Sequence, residues 1–296
     1  MPRPIWPPCT RTATMHKLRR VAGVPGDYLV GIIGGKNGDR GVRLTSMVAG
    51  LSAHYAVLEA AYTPARISGI PVQAWTQVQK NDLLHCYEST AKALEELKKL
   101  ITERQVEGIR DLCAYCGIGA PRQFDHYMPK AKFPEFSVHF YNLVPCCGSC
   151  NGLKGETWLK HNGARVFINF YIDSLPTSPI LELDVQWLVK NGKRVPIASF
   201  DLVRPAGFST AKFALIESHF EKLELLARYR DQAHTEFLAL RDAALAREAK
   251  TVGVLRKFLD NYLERRVETL GPLNWRIALH RKLEEHTPFL QGCLKP

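Results

Sequence analysis

Four cysteines in two close pairs constrain the fold of this chain more than any other feature of its sequence. The first pair is Cys113-x-x-Cys116, and the second is Cys147-x-x-Cys150. Pairs at this spacing can converge on one tetrahedral zinc ion. Because four thiolates close the coordination sphere, the sequence predicts a structural zinc and not a catalytic one. The alternative is four unligated thiols in a core.

Length and composition are those of an ordinary globular protein. With 296 residues, 46% hydrophobic and 23% charged, the chain can form one large domain or two smaller ones. No apolar run reaches the roughly eighteen residues of a membrane span, and the start lacks a signal-peptide stretch. We therefore predict a cytoplasmic protein without a membrane partner, in which a reducing environment favours metal ligation or free thiols over disulfides.

The charge balance favours a polyanionic partner. The chain has 40 Lys and Arg residues against 29 Asp and Glu residues, a formal net charge of +11. Such a surplus is common in nucleic-acid-binding proteins but is not specific to them.

The glycine-rich stretch at residues 31–41 lacks the Gly-Lys-Ser/Thr ending of a phosphate-binding loop, so nucleotide binding is not predicted there.

Hydrophobic periodicity predicts a mainly helical chain with a few strands. Residues 1–45 are basic and rich in Gly and Pro, which favours a loose arm or short elements. Asn81 is the predicted N-cap of a long helix that ends before Gly108. The other predicted elements are, in chain order, a helix at 45–62, strands at 166–171 and 181–185, a turn at Asn191-Gly192, and helices over 209–286 interrupted at Gly271-Pro272.

The segment between the cysteine pairs predicts a hairpin followed by a helix. Residues 124–128 and 143–146 are the predicted strands, and a helix opens at the last cysteine. In that geometry Asp125 and Asn151 approach each other, and their hard oxygens suit Mg²⁺ or Mn²⁺. His126 points to the opposite face of the strand and can take a proton from water without binding metal. The pattern therefore predicts phosphodiester hydrolysis.

Residues 110–156 resemble the HNH endonucleases, a family with a ββα-metal fold. The motifs that carry the resemblance occur in the family's order: Cys113-x-x-Cys116, Asp125-His126-x-x-Pro129-Lys130, Asn142-Leu143-Val144-Pro145 and Cys147-x-x-Cys150-Asn151-x-x-Lys154. One departure is that Asn151 stands where the family often has His, which favours Mg²⁺ over softer metals.

The resemblance implies a role for each central residue. His126 would be the general base, Asp125 and Asn151 would bind the catalytic Mg²⁺ or Mn²⁺, and Asn142 would brace the loop and orient His126. Cleavage would leave a 3′-hydroxyl and a 5′-phosphate. Three lysines are weaker predictions for contacts with the nucleic-acid backbone: Lys130, Lys132 and Lys154.

The sequence thus predicts an α+β, mainly helical protein. We expect an N-terminal basic arm and helical region at 1–109, an HNH core with a zinc knuckle at 110–165, and a strand and helical region at 166–296. The expected function is cleavage of double-stranded DNA, as the nuclease of an anti-phage defence system with an ATPase or sensor partner, or as a homodimer. The alternatives are a non-catalytic zinc module that binds nucleic acid, or a subunit that is latent until a partner activates it.

Overall fold

The structure, a computed structural model, describes residues 17–89, 91–190 and 193–294. These residues form two compact units. We call them the cysteine unit, residues 17–174 with 210–223, and the hairpin unit, residues 175–209 with 224–294. All four paired cysteines lie in the first of these units. The predicted division of the chain into three functional regions, with boundaries at residues 109 and 165, stays a prediction.

The regular elements of the described part of the cysteine unit are helices and one small antiparallel sheet, joined by long loops. Its elements are, in chain order, α1 (Pro25–Gly34), α2 (Gly38–Ala61), α3 (Gln77–Glu88), α4 (Lys92–Glu103), β1 (Gln123–His126), β2 (Leu143–Cys146), α5 (Gly148–Lys154) and α6 (Thr210–Lys222). Its core contains fully buried side chains such as Leu44, Leu97 and Phe167. The two strands and the short helix that follows them are the elements that the sequence predicted around the cysteines.

The loose arm or short elements predicted for residues 1–45 are found only in part. Residues 17–24 have no helix or strand, but α1 occupies Pro25–Gly34 and the long helix α2 begins at Gly38. Glycine here permits a tight link between two helices instead of preventing them. Gly38 has a φ of +64°, and a Cβ on Gly41 would lie 2.3 Å from the carbonyl oxygen of Lys36. The helix predicted at 45–62 is present but begins earlier. Residues 1–16 lie outside the described residues.

The single long helix predicted from Asn81 is instead two helices, α3 and α4. The start of α3 is set by a capping box, in which the Thr76 hydroxyl accepts the backbone N–H of Gln79 and the Gln79 side chain accepts that of Thr76. Ser89 and Ala91 have extended backbone angles and separate the two helices. Because of this break, α4 does not continue along the axis of α3. Helix α4 forms one wall of the site described below.

The strand predicted at residues 166–171 is absent, although its apolar side chains are buried as expected. Side chains satisfy the backbone there in place of a neighbouring strand. Asn169 accepts the N–H of Tyr171 at 3.0 Å, and Asp173 accepts the N–H of Asn169 at 2.7 Å. Two bonds from Arg165 hold Asp173 in place, each 2.7 Å long. A short apolar run cannot by itself distinguish a strand from such a buried turn.

The hairpin unit is built on a long antiparallel hairpin packed by helices. Its elements are β3 (Leu181–Lys190), β4 (Lys193–Leu202), α7 (Leu225–Leu245), α8 (Val252–Leu270), α9 (Trp275–Glu285) and α10 (Thr287–Gly292). The strand predicted at 181–185 and the helices predicted over 209–286 are confirmed, with the break at Gly271-Pro272. The predicted turn at Asn191-Gly192 lies outside the described residues. No helix among the described residues combines the length and apolarity needed to cross a membrane.

Candidate functional site

The four cysteines of the two pairs come together in one buried cluster, as predicted. Their sulfur atoms all lie within 4.8 Å of one another. The sulfurs of Cys116 and Cys147 are 3.8 Å apart, which is about the edge of a tetrahedron with zinc–sulfur bonds of about 2.3 Å. Cys147 caps the start of α5 and Cys150 lies within it, while Cys113 and Cys116 lie in the loop after α4. The cluster could hold a zinc ion.

The loop that carries the first pair is folded as a knuckle. The N–H of Cys113 donates to the carbonyl of Gly119 at 2.7 Å, and the N–H of Ile118 donates to the Cys116 sulfur at 3.4 Å. Mutual hydrogen bonds among these thiols lower the pKa of Cys116 and raise that of Cys113, because the clustered sulfurs share their protons. The neighbouring Cys146 is outside the cluster, and burial raises its pKa to about 12.

The hairpin β1–β2 presents Asp125 and His126 next to this knuckle. Asp125 pairs with Val144 across the sheet, and His126 pairs with Leu143. Both side chains are largely buried but line an open groove of about 830 Å³. Asn151, on α5, lines the same groove. The three residues predicted to hold the divalent ion and activate water therefore all line one groove.

His126 is held in one orientation at the floor of this groove. Its Nε2 lies 2.8 Å from the carbonyl oxygen of Ser137, and the Tyr87 ring packs edge-on at 4.3 Å between centroids. A carbonyl can only accept, so Nε2 donates its proton and Nδ1 of the neutral imidazole is left as the acceptor. Burial lowers the pKa of His126 to about 3, to which the nearby lysine charges contribute. The imidazole is therefore neutral at physiological pH.

Asn142 is buried behind the groove and braces the loop between the strands. Its side-chain oxygen accepts the N–H of Met128 at 2.7 Å, and its side-chain nitrogen donates to the carbonyls of Met128 and Phe136, at 3.0 and 3.2 Å. Phe136 precedes Ser137, whose carbonyl receives the His126 bond. Asn142 does not line the groove. Its geometry fits the predicted bracing role, and it acts on His126 only through the loop.

Asp125 makes two strong contacts inside the protein. The hydroxyl of Tyr115 donates to Oδ2 at 2.6 Å, and the ammonium of Lys154 lies 3.0 Å from Oδ1. Burial raises the pKa of Asp125, and these two partners oppose that shift. Asn151 is engaged differently, because its side-chain nitrogen donates to Gln123 at 2.8 Å. The Asp125 carboxylate therefore already neutralises the Lys154 ammonium. Carboxylate oxygens are also the hard ligands that Mg²⁺ and Mn²⁺ prefer.

Tyr115 connects this carboxylate to the cysteine knuckle, because it lies between Cys113 and Cys116 in the chain. Its backbone carbonyl accepts a bond from Nε2 of His219 on α6 at 2.9 Å. The other ring nitrogen, Nδ1, accepts the N–H of Ile168 at 3.4 Å. Both contacts require a neutral imidazole with its proton on Nε2, and burial lowers the pKa of His219 to about 4.

This histidine predicts acid sensitivity of the cysteine unit. As pH falls below 6.5, the unfolded chain binds a proton at His219 that the folded chain refuses until about pH 4. The stabilisation that depends on a neutral His219 is therefore fully present above pH 6.5, and about 3 kcal/mol of it is lost between there and pH 4. We expect His219→Gln to show a smaller loss over that range in urea unfolding. Equal pH dependence in the wild type and the variant would contradict this assignment.

The predicted lysines have three different environments. Lys130 lines the groove, where it binds Glu88 at 2.7 Å and packs on the Tyr87 ring. Lys132 is exposed and does not line it. The prediction that Lys154 holds a phosphate is contradicted, because its side chain is fully buried and its ammonium binds Asp125 and the carbonyl of His126 at 2.8 Å.

Sequence reasoning missed the second wall of the groove. Helix α4 contributes Glu95, Lys98, Lys99, Thr102 and Glu103, and the chain before β1 adds Arg122. The amphipathic pattern of this helix did show which side is buried, since Leu94, Leu97 and Ile101 face the core. It could not show that the opposite, charged side would face the groove.

Comparisons with known proteins add one relative. The chain is 27% identical over 200 residues to protein Ea31 of Escherichia phage lambda. The matched part is 61% of this chain and 64% of that protein, so the chain spans less than two thirds of its relative. No protein-family model matches the sequence, and no solved structure matches it.

Proposed function

We propose that this protein is a zinc-stabilised, Mg²⁺-dependent endonuclease of the HNH type that hydrolyses DNA. The observation that carries the proposal is the state of His126, a neutral imidazole whose Nε2 is bound to a carbonyl while its Nδ1 remains free to accept a proton. This group lies in the same open groove as a carboxylate and a carboxamide. The four-cysteine cluster beside it supports the zinc-containing form of this fold.

The proposed reaction uses the residues as the resemblance implies. Nδ1 of His126 takes a proton from a water molecule, whose oxygen attacks the phosphorus atom. The bond from phosphorus to the 3′-oxygen breaks, and this oxygen takes a proton from solvent water, which leaves a 3′-hydroxyl and a 5′-phosphate. His126 then returns its proton to solvent. Asp125 and Asn151 would hold the Mg²⁺ or Mn²⁺, which when bound supplies positive charge for the scissile phosphate and the leaving oxygen.

The groove also suggests how a strand is held. Lys98, Lys99, Arg122 and Lys130 lie on its walls and can contact phosphates on either side of the floor. The ammonium groups of Lys98 and Lys130 lie 5.0 and 5.4 Å from the centre of the Tyr87 ring. Carboxylates on the same walls limit the surplus of positive charge. We expect backbone contacts and little base reading from this surface.

The proposal places the chain in conflict between phages and their hosts or in mobile elements, with an ATPase or sensor as partner, or as a homodimer. The similarity to a phage protein supports this setting. Co-purification from cells under native conditions tests the partner, and sedimentation tests self-association.

Plasmid cleavage by zinc-loaded protein, with and without added Mg²⁺, separates the nuclease from a non-catalytic module. We expect nicking or linearisation in Mg²⁺ or Mn²⁺ and none in buffer without added divalent ions, because the phosphate charge is then not neutralised. A binding module would shift DNA in a gel without added divalent ions and leave it intact in Mg²⁺. That result with pure, zinc-loaded protein would contradict the proposal. A latent subunit would cut only after its partner is added.

A further inference from the structure

Lys154 is an unusual lysine because no part of its side chain is exposed. Its ammonium lies 3.0 Å from Oδ1 of Asp125 and 2.8 Å from the carbonyl oxygen of His126. Burying an ammonium is costly unless it is paired and hydrogen-bonded. Both partners belong to the Asp-His dipeptide on the floor of the groove. The lysine is therefore a cation built into the proposed catalytic site.

Both oxygens of the Asp125 carboxylate are engaged in this arrangement. Lys154 binds one oxygen and the hydroxyl of Tyr115 donates to the other, at 2.6 Å. A carboxylate keeps further lone pairs, so a divalent ion can approach Asp125 while both partners are present. The ammonium would then lie next to the ion, and two positive charges at this separation in a buried site disfavour each other strongly.

We propose that Lys154 is an internal counter-ion which the divalent metal must displace from Asp125, so that metal binding is an exchange of ammonium for metal. The proposal rests on the function proposed above. Without metal, Lys154 keeps the buried carboxylate neutralised and in place. When metal binds, the carbonyl of His126 remains as an anchor for the released ammonium. The exchange weakens metal binding and prevents an unpaired charge in the free protein.

The placement of Lys154 on the short helix α5 strengthens this inference. Asn151, the second proposed metal ligand, lies three residues before it on the same helix. Residues at this spacing share one face of a helix. The proposed ligand and its competitor therefore lie on one rigid element, so a small shift of α5 can move both of them.

Mn²⁺ binding to zinc-loaded protein, measured by calorimetry, tests the exchange without relying on activity. We expect Lys154→Met to bind Mn²⁺ about tenfold more tightly than wild type, because the competing charge is gone while the side-chain volume is kept. Lys99→Met is the matched control, since it removes a groove lysine with an exposed side chain that is 3.7 Å from Glu103. It should change the affinity by less than about twofold. Asp125→Asn should abolish the tight site in either background.

Three outcomes of this experiment decide the matter. Tighter Asp125-dependent binding in Lys154→Met supports the exchange. Equal or weaker Asp125-dependent binding overturns the exchange but leaves the proposed nuclease intact. If neither wild type nor Lys154→Met binds Mn²⁺ through Asp125, both the exchange and the proposed metal site are wrong.

A second measurement does not require that Lys154→Met folds. In protein labelled with ¹⁵N-lysine, a buried ammonium that is hydrogen-bonded gives a slowly exchanging NMR signal, which the conservative variant Lys154→Arg would identify by its loss. Saturation with diamagnetic Mg²⁺ should shift this signal or broaden it beyond detection. An unchanged Lys154 signal at saturation would overturn the exchange.

Discussion

Replacing Cys150 with serine is expected to unfold the cysteine unit at room temperature. Cys150 is buried within the four-sulfur cluster, and the hairpin and helix around it are too short to stabilise themselves. Structural zinc contributes roughly 10–16 kcal/mol in small zinc-binding peptides, which equals or exceeds the roughly 5–15 kcal/mol that stabilises a typical domain. The loss of one ligand removes much of that contribution. Circular dichroism and zinc content per chain measure the effect.

Cys146→Ala is the matched control for this experiment. Cys146 is as buried as Cys150 and precedes Cys147 directly, but it lies outside the cluster. The control should keep one zinc per chain and lose at most about 2 kcal/mol of stability, the cost of a small core truncation. A wild-type protein that folds without zinc, or a Cys150→Ser variant as stable as Cys146→Ala, would refute the structural role of the cluster.

The second large effect is expected from His126→Ala. General bases contribute about 10²–10⁴-fold to a rate, so kcat/KM for DNA cleavage should fall by that factor. The folded protein should keep its zinc, because His126 does not touch the cysteine sulfurs. His161→Ala removes an exposed histidine that does not line the groove, and it serves as the control. Equal loss in both variants would show that the effect is not specific to His126.

The depressed pKa of His126 also predicts the acid side of the pH profile. A base works in its neutral form, so activity should hold as pH falls through 6.5, the ordinary histidine value. The acid decline should instead follow protonation of Asp125, whose pKa burial raises and whose ionised form the metal requires. A profile of kcat/KM at constant ionic strength, limited to the pH range in which the protein stays folded, measures it.

The sequence predicted the core of the site well because its constraints are local. Metal-ligand spacing in the two cysteine pairs fixed which sulfurs meet, including Cys147 in preference to Cys146. The segments at 124–128 and 143–146, and the stretch that opens at the last cysteine, predicted a hairpin and a helix, and the structure has both. Asp125, His126 and Asn151 then reach one groove because they lie on these elements. Metal-ligand chemistry and strand or helix geometry depend on residues that are close in sequence, so they can be predicted from it.

The rest depended on contacts between distant segments. Lys154 lies three residues after Asn151 on α5. It is buried and not solvated because the core extends around Asp125, which the local sequence does not show. Helix α4 faces the groove because the chain turns at Ser89 and Ala91, where the hydrophobic pattern indicated a continuous helix. The turn at Asn169 replaces a strand because polar side chains satisfy its backbone. The spacing of hydrophobic residues along the sequence predicts none of these three features.

The account is tested most directly by single-turnover cleavage of end-labelled DNA with wild type and His126→Ala, each confirmed to carry one zinc per chain. We expect wild type to cut in Mg²⁺ and to leave a 5′-phosphate, while the variant cuts at least about a hundredfold more slowly. Cleavage at equal rates by both proteins, or no cleavage by wild type with any divalent ion or partner, would contradict the proposal that this groove is a nuclease site.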